Sequence, residues 1–376
     1  MQRLSHAPVV VCVGARCQNV TTTSSEPLFP TTDAWIDALP PLEAGGTCAN
    51  RALQKSHEIC RDRKTLNLTL SDRKCPQCAM PALLNASFRL RMADAVRPVR
   101  WTELVKQRML QRGRLRTLRE ASVPQLSCSS SRGADRVVLS SFFSDSNGVP
   151  LAPAGGGVGH FLEIGGYDGY HATNTWYFER CLGWRGVLVE PDRGQFSRLR
   201  ANRPYTLNVN AALCTEHTAV VLDGAQSKTR VKEKVNASEE WMSQPRTVAC
   251  GPLGDYLRLL SVARVDFFSL DVEGAEANAL KSLNASRARH AISFGVVLVE
   301  ARLPTHHGML VGVVRTREML LGLGLVFAGQ VAHAATGEYN GDARYENQPV
   351  DEVWVNETHL RRFFPRSAAL VDVVRP

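Results

Sequence analysis

No apolar run in this 376-residue chain approaches the roughly 20 residues that a membrane-spanning helix needs, so the sequence offers no firm span. Residues 131–376 also lack a charge excess of either sign. They hold 26 Lys and Arg against 26 Asp and Glu, and the whole net charge of +9 comes from residues 1–130, with 19 against 10. A nucleic-acid groove needs a clustered positive field, so the larger part of the chain is read as binding no nucleic acid. The basic first third admits two readings, a solvated face or a patch for an acidic surface or anionic lipid.

Cysteine is scarce after residue 130, where only Cys181, Cys214 and Cys250 occur; Cys12, Cys17, Cys48, Cys60, Cys75, Cys78 and Cys128 precede them. Cys75-Pro76-Gln77-Cys78 has no second close cysteine pair and no histidine pair at ligand spacing. No metal site is therefore assigned, and disulfides or unpaired thiols remain. His306-His307, after Pro304, reads as a surface turn.

Residues 1–92 lack a sustained hydrophobic period and are broken by Pro40-Pro41 and Gly45-Gly46, which predicts an irregular, Cys-containing extension. Within it, residues 7–15 have the length of a signal h-region behind Arg3, without a small-x-small cleavage site. Residues 93–134 form a second segment. A basic amphipathic helix is expected from Asp94 to about Glu120, carrying Arg108, Arg112, Arg114, Arg116 and Arg119, and a linker follows.

Asn-x-Ser/Thr sequons stand at Asn19, Asn67, Asn85, Asn236, Asn284 and Asn356. Chance would give about two, so they favour a glycoprotein of the secretory-pathway lumen or a secreted one, with the cytoplasm as the alternative.

From residue 135 to 376 the pattern changes. Strands are expected near 160–164, 186–190, 206–210, 265–270, 292–299, 324–331 and 351–356. Helices fall between most of them, near 173–181, 193–201, 252–261, 274–282 and 308–321. Such alternation predicts an α/β domain with a mostly parallel sheet covered on both faces. Ligands of such sheets bind outside the carboxyl ends of the strands, where the strand order reverses. Residues 223–247 precede the fourth strand and read equally as a lid or a glycosylated loop.

Three strand ends carry acids: Glu163, Glu190 and Asp271. Glu163 runs into the turn Gly165-Gly166-Tyr167-Asp168-Gly169, where glycines permit positive φ and close approach of a ligand. The turn lacks the Gly-x-Gly-x-x-Gly of a dinucleotide site, and its flanking carboxylates would repel a pyrophosphate. They suit instead a cofactor with an ammonium and a sulfonium. Glu190, 21 residues past Gly169, suits bidentate bonding to two ribose hydroxyls. S-adenosyl-L-methionine fits this set better than NAD, which disfavours an oxidoreductase.

Five segments in order, Phe161 to Gly169, Asn174-Thr175, Leu182 to Pro191, Asn210 to Cys214 and Asp266 to Glu276, resemble the FkbM-type methyltransferase family over residues 135 to about 356. The resemblance implies a Rossmann-like class I methyltransferase fold, a seven-stranded sheet whose last strand, near Val353 to Val355, runs antiparallel. It implies that Glu163, Gly165, Gly166, Asp168 and Gly169 shape the cofactor's methionine and ribose site, that Glu190 holds the ribose, and that Asn210 and Ala211 border the adenine. Asp271 would stand beside the transferred methyl. Family members act on hydroxyl groups, often of sugars or small metabolites.

A hydroxyl nucleophile must lose its proton, which makes Asp271, Glu273 and His171 the candidate catalytic residues. Asp271 and Glu273 read alternatively as helix-capping acids, and His171 as a turn histidine. Glu300, at the fifth strand's end, faces substrate or merely starts a loop. The expected activity is S-adenosylmethionine-dependent O-methylation. The rival is a non-catalytic secretory-pathway interaction protein that keeps the fold.

Overall fold

The computed structural model describes residues 8–13, 16–20, 28–29, 35–39, 117–118, 134–145, 149–171, 173–224, 230–235, 246–286, 291–300, 307–332 and 349–371. In chain order the strands are β1 (Val9–Val13), β2 (Arg16–Val20), β3 (Thr117–Leu118), β4 (His160–Ile164), β5 (Arg185–Val189), β6 (Leu207–Asn210), β7 (Ala212–Leu213), β8 (Thr218–Asp223), β9 (Arg230–Val235), β10 (Thr247–Gly251), β11 (Arg264–Leu270), β12 (Ser293–Glu300), β13 (Val326–Ala332) and β14 (Pro349–Val355).

Ten of them form one sheet in the order β2-β1-β6-β5-β4-β11-β12-β14-β13-β3. The seven expected strands are its centre. β6, β5, β4, β11 and β12 pair in parallel, and β14 is antiparallel to both β12 and β13. This is the Rossmann-like class I methyltransferase arrangement. The chain works outward from β4 through β5 to β6, then returns to β11, so the order reverses between β4 and β11.

The central strands are apolar on both faces because helices cover both. Leu162, Ile164, Phe268, Leu270, Val297 and Val299 belong to one buried cluster, with Leu257, Leu280 and Leu320 from the helices Leu253–Leu259, Glu276–Ser286 and His307–Gly322. Phe161, Leu188, Phe267, Val296 and Leu298 belong to the other, with Val138, Phe178, Leu199 and Leu360 from Ala134–Phe142, Trp176–Leu182, Arg193–Asn202 and Glu357–Phe363.

Local rules set the helix ends. Asp192 accepts hydrogen bonds from the Gly194 and Gln195 amides at an N-terminus, and Gly183 ends the preceding helix at φ 72°. The Leu-Gly-Trp-Arg-Gly run is thus structural: Trp184 is buried, and a Cβ on Gly186 would lie 2.0 Å from the Phe161 ring.

The extension departs from expectation. Val9–Val13 and Arg16–Val20 are strands, not irregular chain: β1 pairs antiparallel with β2 and with β6, extending the sheet. Val9, Val11 and Cys12 are buried, each valine worth about 1.5–3 kcal/mol. Within the run of signal-like length, Val9–Val13 is a strand of the core, because its β-branched valines suit an extended chain and the edge of β6 receives it. Trp35 is buried edge-on to His160, and the Leu28 amide bonds the Leu259 carbonyl, so the compact unit does not begin at residue 135. The expected helix from Asp94 lies outside the described residues, apart from Thr117–Leu118, which pair with β13.

A second sheet, β7-β10-β8-β9, was not foreseen. It includes β9 within the segment read as a lid or loop; residues 236–245 lie outside the described residues. Disulfides join Cys12 to Cys17 and Cys214 to Cys250, the second tying the chain after β7 to β10. Among the described residues, no helix is long and apolar enough to cross a membrane.

Candidate functional site

The switch between β4 and β11 brings two strand ends into contact. The Asp271 amide donates to the Ile164 carbonyl at 3.2 Å. A Cβ on Gly165, whose φ is +86°, would lie 1.9 Å from the Asp271 carbonyl oxygen. Only glycine fits both that dihedral and that approach. The Gly165 and Gly166 amides both donate to the Val189 carbonyl, 3.0 and 3.1 Å, which fastens the turn to the end of β5.

Glu190, buried just past β5, accepts from the Tyr167 amide at 2.9 Å and from the Asp192 amide at 2.8 Å. Burial pushes its carboxyl up to about 8, against the pull of those two amides. Each carboxylate oxygen has further acceptor capacity, which two ribose hydroxyls would use. Asn210, at the end of β6, donates to the Glu190 and Pro191 carbonyls at 2.8 and 3.0 Å, with the fully buried Ala211 behind it. Asn210 therefore shapes the loop that presents Glu190.

Asp168 serves its own turn. It accepts from the Tyr170 and His171 amides, 2.9 and 2.7 Å, and from the His171 ring at 2.5 Å. Burial raises its carboxyl, but the His171 and Tyr170 bonds outweigh it and hold it below the ordinary value. His171, whose side chain is 46% exposed, is thus paired with Asp168 within the turn.

Glu163 lies deeper. It accepts from the hydroxyls of Thr173 and Thr175 and from the Asn174 amide, and Asn174 also donates to Ser269 on β11 at 3.1 Å. Burial raises the Glu163 carboxyl, while Arg203 and these bonds lower it less. Fully buried Arg203 bonds Glu179, Thr173, Thr175 and the Gly169 carbonyl. Neither Arg203 nor Glu179 was singled out from sequence; one arginine in the Arg198–Arg203 run looks like any other until the fold buries it.

On the other side of the switch, Asp271, Glu273 and Glu300 bring one carboxylate oxygen each within 4.8 Å of one another. The sequence reading assigned no metal ligands; Asp271 and Glu273 follow β11, and Glu300 joins them from the end of β12. Together they could hold a cation or take up a proton. Glu273 has φ 53° and Gly274 φ 101°. Capping of the following helix falls largely to Glu276, whose carboxylate accepts from the Gly274 amide at 2.9 Å and the Val272 amide at 3.2 Å. Burial pushes Glu276 up, and nearby Glu300 adds to it against those amide bonds.

The glycine turn and the acids gathered at the strand ends beside it suit a nucleoside with a cationic tail, which is the chemistry of S-adenosylmethionine. Residues 163–319 match the sequence model of the methyltransferase FkbM domain. No curated protein matches the chain. Solved structures with a similar course include fibrillarin from Aeropyrum pernix with natively bound S-adenosyl-L-methionine (12% identity, 52% of this chain and 66% of that one, TM-score 0.31). They also include precorrin-6y C5,15-methyltransferase from Geobacter metallireducens (14%, 52% and 76%, 0.24). A third is an S-adenosylmethionine-dependent methyltransferase from Archaeoglobus fulgidus (11%, 53% and 86%, 0.27). At such scores the likeness says nothing about substrate.

Proposed function

We propose, for a chain whose residues 163–319 are an FkbM methyltransferase domain with S-adenosylmethionine as methyl donor, that it methylates a hydroxyl group on a sugar or small metabolite. The observation that carries this reading is the convergence of Asp271, Glu273 and Glu300 beside the switch point. Bound S-adenosylmethionine supplies an electrophilic methyl on a sulfonium. Methyl transfer needs alignment of the acceptor and exclusion of water. A hydroxyl acceptor also needs a base, and a neighbouring carboxylate supplies it.

Glu190 would hold the ribose, and Gly165, Gly166 and Gly169, which lack side chains where Asp271, Leu199 and Arg203 press against the turn, would keep that turn tight enough to face the donor with backbone. Asp271 is the base of choice because it sits at the strand end that touches the turn. Glu273 and Glu300 would share its proton or orient the acceptor. His171 would act only if the turn released it from Asp168.

Two disulfides among the described residues support an oxidising compartment, the secretory lumen or the extracellular space. Exposed Asn19 and Asn284 are suitable glycan acceptors, whereas the Asn356 side chain caps a helix by accepting from the His359 amide at 3.1 Å.

The test is calorimetry with S-adenosylmethionine, followed by release of S-adenosylhomocysteine across a panel of sugar and polyol acceptors. Tight binding and acceptor-dependent product are expected. Binding without product from any hydroxyl acceptor would sink the O-methyltransferase reading and favour the non-catalytic rival.

A further inference from the structure

Arg203 is 0% exposed, stacks over Phe161 at 5.4 Å, and spends its donors on segments far apart in sequence. Its Nε pairs with fully buried Glu179 of the helix Trp176–Leu182. One terminal nitrogen donates to the Gly169 carbonyl at 3.4 Å and to the Thr173 hydroxyl at 3.2 Å; the other donates to the Thr175 hydroxyl at 3.1 Å. Both hydroxyls then donate onward to Glu163, which lies 4.0 Å from the guanidinium. A buried arginine carries a desolvation cost of several kcal/mol, and apolar side chains in its place would commonly hold the fold as well. What apolar residues could not do is hold a carbonyl and two hydroxyls at once, which the guanidinium fork does.

The place of that fork across the sheet gives it a ligand-facing consequence. Asn210 and Glu190 stand at the ends of β6 and β5, so a nucleoside held there has its base toward β6. The amino-acid end of the donor then points the other way, over the turn after β4 and Thr173–Thr175. Those are the segments that Arg203 holds.

We infer that Arg203, anchored by Glu179, is a positioning residue for the amino-acid end of the methyl donor. It holds Gly169 and the Thr173–Thr175 segment in place, and through the two threonines it orients Glu163. This rests on the donor reading given above. Lysine keeps the charge at this position but loses the fork, so charge alone does not restore the arrangement.

The experiment compares two ligands on the full chain by calorimetry. S-adenosylhomocysteine carries the amino-acid end, and 5′-methylthioadenosine shares the nucleoside and thioether without it. Arg203→Lys is expected to weaken S-adenosylhomocysteine at least tenfold and to leave 5′-methylthioadenosine within about twofold, a split that a merely structural role would not produce. Should Arg203→Lys fail to fold, the double variant Arg203→Met with Glu179→Leu replaces the buried pair by apolar side chains and should show the same split. Equal losses for both ligands, or unchanged S-adenosylhomocysteine affinity in a folded variant, would overturn the positioning role. A wild-type protein that binds neither ligand overturns the donor reading itself.

Discussion

With Glu190 on the donor's ribose as proposed, donor binding should depend on pH, and burial of its carboxyl sets the sign. Its carboxyl sits at about 8 in the folded protein against an ordinary 4.5, with burial as the main cause. Ribose hydroxyls that donate to it favour the carboxylate, so binding drives a proton off whenever the free protein is below that value. At pH 6.5 a few per cent of the free protein carries the ionised group, and at pH 7.5 roughly a quarter, by the same reference to about 8. S-adenosylhomocysteine affinity should therefore rise about eightfold over that unit, about 1.2 kcal/mol, and level off above pH 8. The free protein should move oppositely. Its native state binds more protons than its unfolded state between 4.5 and about 8, so its stability falls as pH rises through that window, by about 5 kcal/mol at most. Calorimetry from pH 6 to 9, repeated in buffers of different ionisation enthalpy, reads both the affinity and the released proton. Glu190→Gln should bind more weakly at pH 8.5 and lose the slope, since the amide does not titrate and leaves the Tyr167 or Asp192 amide without its acceptor. A flat wild-type profile, or an unchanged slope in Glu190→Gln, refutes the assignment.

Gly165→Ala must place a methyl against the Asp271 carbonyl at positive φ, and a loss of about 2–4 kcal/mol is expected in urea unfolding; wild-type stability would refute the tight turn. Cys214→Ser with Cys250→Ser opens a link between residues 36 apart, and loop-closure entropy puts the loss at about 4 kcal/mol. A reductant should destabilise the wild type by at least as much, and the double variant only by what the remaining Cys12–Cys17 link contributes. Asp271→Asn should lower turnover by about 10²-fold or more while S-adenosylmethionine binding stays measurable, because it removes a base and keeps the shape. Undiminished turnover would transfer the role to Glu273 or Glu300.

The sequence by itself determined the strand and helix alternation, and with it the α/β class. Covered parallel strands must be largely apolar on both faces; Val296–Val299 is wholly so, and Phe161–Ile164 and Phe267–Leu270 are broken only by Glu163 and Ser269. It also determined the glycine turn and the acids at three strand ends, because positive φ and strand-end placement leave local traces. Only the tertiary structure decided which residues meet. Glu300 joins Asp271 and Glu273 because β12 lies beside β11, and Arg203 reaches the turn because its helix packs under it. The antiparallel pair Val9–Val13 and Arg16–Val20 is of the same kind. Its run of valines is apolar in any reading, but only the open edge of β6 makes it a strand of this sheet. Local chemistry is written in neighbouring residues, whereas side-chain convergence depends on strand order, and strand order is a property of the whole chain.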